Sequence, residues 1–302
     1  FGVVFVLIIF YPACDAVSWF VNTFMGETNE MFKLSAFHTA FNVVNTLLLI
    51  GFVKQIERFV CRILPQKEQD EEYRLRFISS GILSTAELSI LQAQKEIYVY
   101  AQRVQKMFGM VKDMDKETNE DKFLKLFERI QKYENISDRM ELEIANYLNK
   151  VSEGRLSNES KGKIHRMLRI VSEIESIADS CDNLSRVLDR KRQGKIEFLP
   201  EIQSCVDKMY SFLDEGLAAM FEVLDLINEP NIDTSKSESI ETQINRYRDE
   251  LKSKNVTDVN AKKYSYADSV VYMDLITECE KMDDYIVNVV EAVSEYKPTS
   301  QN

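Results

Sequence analysis

Two stretches of this 302-residue sequence, 105 positions apart, repeat acids and an amide at helical spacing: Glu175, Asp179 and Asn183, then Glu280, Asp284 and Asn288. A further acid, Glu173 or Glu278, stands two residues before each. Residues four apart stack on one helix face, one turn above the other. Like charges at that spacing repel, so solvent, a basic partner or a cation must offset them. Oxygen-rich clusters suit hard or borderline cations, and helical bundles build di-iron and di-manganese sites from such faces. A weaker echo, Glu134 with Asp138 and Glu241 with Asn245, repeats 107 positions apart. The candidate metal ligands are therefore Glu134, Asp138, Glu175, Asp179, Glu241, Glu280 and Asp284. Two ladder helices side by side would bring four carboxylates together. A solvated acidic face is the other reading of each ladder, and the repetition argues for the cation.

Other chemistries find no support. The di-iron element Glu-x-x-His is missing, and His165 is the only histidine after His38, read as a surface residue. There is no Ser-His-Asp set, HExxH or P-loop, so no enzyme is expected. A formal charge of -11 gives no cationic surface for nucleic acid. The five cysteines, 14, 61, 181, 205 and 279, show no CxxC spacing and read as free thiols in a reducing compartment.

The elements that position the ladders are helices. With 9 Gly and 5 Pro, the chain has little material for a turn-rich β fold. Apolar residues keep step with the acids: Ile170 with Leu275, Ile174 with Cys279, Ile177 with Met282, Cys181 with Ile286, Leu184 with Val289. A shared offset for core and polar rows means a duplicated unit. Periodicity and caps give helices at about 85–114, 119–152, 158–192, 200–228, 235–254 and 260–296. These form two groups of three, with a ladder on each third member. The expected fold class is all-α, with two three-helix repeats over 81–296, a linker at 65–80 and a tail at 297–302.

The first 64 residues read as membrane. Residues 1–10 are unbroken apolar sequence, and 36–53 carry no charge over a length near the minimum for a spanning helix. Lys54, Arg58, Arg62 and Lys67 follow, which places everything after about residue 53 in the cytoplasm of a bacterial inner membrane. His38, Thr39 and Asn42 are costly against lipid and are expected to line a protein interior or cavity. Phe1 begins inside an apolar run, so the chain reads as a fragment missing its upstream part.

The runs Ile174-Glu175-Ser176-Ile177-Ala178-Asp179 and Cys279-Glu280-Lys281-Met282-Asp283-Asp284, each followed by Asn183 or Asn288, resemble the duplicated signature of PhoU proteins. The resemblance covers about residues 80–296. It implies two three-helix repeats and multinuclear, divalent or iron-type metal clusters on the acid motifs. Residues 36–42 look like the end of a bacterial sodium/phosphate cotransporter core, which a PhoU-like domain follows in that family. This implies a C-terminal portion of a sodium-dependent phosphate transporter whose helical domain regulates uptake. Phosphate and sodium would be handled by the upstream core, with membrane lipid and a regulatory protein or a second copy as partners. Some positions depart from the pattern. Ser176 and Lys281 replace Arg, Ser180 and Tyr285 stand where His is frequent, Asn245 replaces Asp, and the transporter Gln-Ser-Ser elements are missing. The alternative is a membrane-anchored helical signalling or scaffold protein without transport activity.

Overall fold

The computed structural model describes residues 75–78, 85–154, 156–229 and 231–295, with positions 15, 19, 22, 23, 35, 38, 39, 42, 43 and 46 before them. The chain divides into two compact units, 1–70 and 71–302. The expected membrane segments lie outside the described residues apart from those isolated positions. Among the described residues, no helix is long and apolar enough to cross a membrane.

Six long helices and no strand occur among the described residues of the second unit: α1 Ala86–Lys116, α2 Glu120–Ser152, α3 Asn158–Gln193, α4 Pro200–Asp225, α5 Ser235–Asn260 and α6 Tyr266–Ser294. Their starts follow from local chemistry. Asn119 and Ser157 accept from backbone N–H groups three residues on, at 3.0 and 3.1 Å. Pro200 opens α4, where its missing N–H costs nothing. The boundary between α5 and α6 differs from the expected one. α5 continues to Asn260, held by buried Asn255, which donates to Ser269 Oγ at 2.8 Å and accepts from Tyr264 at 2.9 Å. α6 starts at Tyr266, behind a reciprocal capping box of Ser265 and Asp268. Gly194 ends α3, yet the left-handed turn falls on Lys195, φ 50°.

The sequence-matched apolar residues build one core. All ten members of the five pairs, Ile170 through Leu184 and Leu275 through Val289, are fully buried. α1, α2 and α3 pack together as one repeat, α4, α5 and α6 as the other, and the most extensive packing is α3 against α6. Residues 75–78, expected as linker, belong to the helical unit. Glu96 is buried in α1 and accepts from the backbone N–H of Arg76 and Phe77 at 2.8 and 2.6 Å, and Ile78 enters the core.

Polar contacts set the register of the α3–α6 seam. Asn183 Nδ2 donates to Glu278 at 3.1 Å, and Asn288 Nδ2 donates to Glu173 at 2.9 Å. These two bonds are images of each other under the 105-residue offset. The ion pairs Arg190–Asp274 at 2.8 Å and Arg169–Glu295 at 2.6 Å are also images, with the charges exchanged. They are too exposed to add more than about 1 kcal/mol each. A buried node joins the repeats elsewhere: Asp115 of α1 accepts from Lys191 of α3 at 2.9 Å and from Gln203 of α4 at 2.8 Å.

Burial therefore dominates the seam. Truncating Ile177 to Ala is expected to cost about 2–5 kcal/mol in urea denaturation, against less than about 1 kcal/mol for Arg190→Ala. Equal costs for the two variants would contradict this ranking.

Candidate functional site

The ladder acids turn away from the α3–α6 seam. On α3, Asp179 meets Glu134 and Asp138 of α2, one ligand oxygen from each lying within 4.8 Å of the others. Among the described residues, this is the one group of three acids, His or Cys at metal-ligand separation. Glu175 stands one turn before Asp179, half-buried, and senses the charges of Asp179, Glu141 and Asp138. No ion pair among the described residues engages Glu134, Asp138, Glu175 or Asp179. Arg186, the nearest cation by its effect on Glu134, is bonded to buried Asp182 at 2.6 Å.

Crowding raises the proton affinity of this cluster. Burial, reinforced by its acidic neighbours, pushes Glu175 up to about 7. Burial and the charge of Asp138 raise Asp179, and burial and the same charge raise Glu134. A proton held by Glu175 relieves its repulsion with Asp179 one turn on. A divalent cation would replace that proton as the counter-charge. Carboxylate oxygens from two helices, with no cation of the described residues bound to them, fit a hard or borderline cation.

The second cluster has a different content. Glu280 and Asp284 of α6 lie against α5, where Glu241 senses Asp284. Arg248 enters this cluster and bonds to Glu280, while also donating to Asn245 Oδ1 at 2.9 Å. Asp283 is buried beside them, at the position where the first repeat has Ala178, and burial raises it to about 7. One of its oxygens has no hydrogen-bond partner among the described residues. Arg248 gives Glu280 a counter-charge, and among the described residues no three of these acids lie at metal-ligand separation.

The expected meeting of four ladder carboxylates across two helices does not occur. Glu175 responds to acids of the first repeat, and Asp284 and Glu241 to acids of the second. Asp179 alone also feels Glu278 across the seam. The physical reason is the seam packing, which leaves Asn183, Asn288, Glu173 and Glu278 at the join and rotates the ladder acids toward α2 and α5. Sequence reasoning missed Glu141 and Arg248. Carrying the 107-residue offset three positions past Asp138 and Asn245 pairs them directly.

His38, Thr39 and Asn42 are helical and exposed, and His38 Nε2 lies 3.1 Å from Asn42 Nδ2, as a shared face requires. His165 is exposed. Cys181 and Cys279 are buried free thiols, and Cys205 is a half-buried one.

Comparison with known proteins follows the same division. Residues 97–188 match the PhoU domain family model. The match runs from α1 through most of α3 and contains all of the first acid cluster. The fold of the helical unit is PhoU-like: the phosphate transport system regulatory protein PhoU from Streptococcus pneumoniae superposes with a TM-score of 0.51 at 16% identity. That superposition covers 69% of this chain and 91% of the other. No curated protein matches the chain.

The raised carboxyls make stability pH-dependent with a definite sign. Glu175 holds its proton up to about 7 when folded, against 4.5 for its ordinary value. Between those values the folded state binds more protons than the unfolded one, so stability falls as pH rises through the window. Glu134, Asp179, Glu241, Asp283 and Asp284 shift in the same direction. In chelator-treated protein the unfolding temperature is expected to drop from pH 5 to pH 7.5, and Glu175→Gln to flatten that slope. A rise over this range would refute the assignment.

Proposed function

We propose that this chain regulates phosphate transport through a PhoU-like helical unit whose first repeat binds a divalent cation. The observation that carries the reading is the convergence of Glu134, Asp138 and Asp179 within 4.8 Å, inside the stretch that matches the PhoU domain model. A cluster of acids without histidine suits binding better than bond chemistry. Glu175 would join the three as the ligand that gives up its proton when the cation arrives.

In the fuller form of the proposal, the chain is the C-terminal portion of a sodium-dependent phosphate transporter in a bacterial inner membrane. The apolar sequence of residues 1–64 and the order membrane region then helical unit support this form. Inorganic phosphate and sodium would pass through the membrane core, and the helical unit would limit uptake by contacting that core, a regulatory protein or a second copy.

Sodium-dependent uptake of radioactive phosphate by cells expressing the intact transporter tests both halves. The combined variant Glu134→Gln, Asp138→Asn, Asp179→Asn is expected to lose bound metal. It should also release uptake from its limit at high external phosphate by about fivefold, a typical coupling between sites. Uptake that needs no sodium would refute the cotransport half. Uptake and metal content equal to the unmutated protein would refute the regulatory half.

A further inference from the structure

The two acid clusters are homologous in position and both acidic, but the second holds an internal cation, and two exchanged pairs on the second helices set them apart. Under the 107-residue offset of the second helices, Glu241 stands for Glu134, Asn245 for Asp138 and Arg248 for Glu141. Glu141 adds a negative charge to the first cluster and helps raise Glu175. Arg248, on the same helix face three residues beyond Asn245, reaches across to Glu280, the counterpart of Glu175. Its side chain is 17% exposed and that of Glu280 20%, so the pair is partly withdrawn from water. The same Nη1 group donates to Asn245 at 2.9 Å, and Nε lies 3.1 Å from Asp249. An amide at 245 suits this arrangement, since its Oδ1 accepts from the guanidinium without adding charge.

A guanidinium is always charged and offers fixed donors to a carboxylate, so it supplies permanently what a bound cation supplies reversibly. We propose that Arg248 takes the place of the cation in the second repeat, so that this chain binds metal through its first repeat alone. The second cluster then holds α5 against α6 irrespective of metal supply, and only the first cluster senses the cation. Its metal arm rests on the reading of the first repeat as a cation site, whereas its stability arm does not.

The test uses the purified full chain, stripped with chelator and dialysed against manganese(II), with metal content and unfolding temperature both read. Glu280→Gln with Asp284→Asn is expected to leave bound manganese unchanged; a loss of about half would overturn the proposal. Asn245→Asp with Arg248→Glu, which rebuilds the acid set of the first repeat, is expected to raise manganese content about twofold. Unchanged content in the folded variant would count against the proposal.

The stability arm needs no metal. In chelated protein, Arg248→Gln is expected to lower the unfolding temperature by roughly 3–6 °C. On the Glu280→Gln, Asp284→Asn background the same change should cost clearly less, because the Glu280 charge is gone and the remaining pair with Asp249 is largely exposed. Equal losses on both backgrounds would overturn the role of Arg248. A chain that takes up no manganese yet passes this arm would refute the reading of the first repeat while supporting Arg248 as the resident counter-charge.

Discussion

The helical unit depends on the burial of α3 against α6. Ten matched apolar side chains along these helices are withdrawn from water, and each fully buried aliphatic side chain is worth about 1.5–3 kcal/mol. No exposed ion pair on the seam approaches that. Once α3 and α6 are locked, the other four helices have little choice of place: α1 and α2 complete the first three-helix group, α4 and α5 the second. The Asn183–Glu278 and Asn288–Glu173 bonds then act as register pins. Their contribution is modest, since one is exposed and the other part-buried, but sliding one helix by a turn would break both pins together.

The seam also decides where chemistry can occur. Because it uses the apolar faces of α3 and α6 and the amides at their edges, the ladder acids are left facing the second helix of their own repeat. Each repeat thereby builds its own acid cluster from two helices. The first keeps Glu134, Asp138, Glu141, Glu175 and Asp179, whose repulsion is eased by holding a proton on Glu175 or, on the proposal above, by taking a cation. The second has exchanged one acid for Arg248 and another for Asn245, and carries its counter-charge internally. On the proposals above, duplication followed by this divergence yields one responsive cluster and one fixed one on the same scaffold.

Much of this was legible in the sequence. The 105-residue offset marks the duplication, the third-helix core and the ladder positions, because a buried stripe and a polar row on one helix cannot drift independently. The helix starts at Asn119, Ser157 and Pro200 follow from capping chemistry that is local to a few residues. The end of α5 was not legible, since the Asn255–Ser269–Tyr264 tie that extends it is a tertiary contact. The partner of each ladder was not legible either. Periodicity shows which residues share a face, and only the rotation of α3 and α6 about their seam shows what that face meets. Arg248 lay in plain view, but a basic residue on an exposed helix reads as solvated until its neighbour is known.

The central claim is that a cation acts on the first acid cluster and leaves the second unchanged. Site-resolved NMR of the Asp and Glu carboxyl groups during titration with zinc(II), a diamagnetic probe, tests it most directly. The account predicts saturable shifts at Glu134, Asp138, Glu175 and Asp179, with Glu241, Glu280 and Asp284 static. Matching shifts in both clusters, or none in the first, would contradict it.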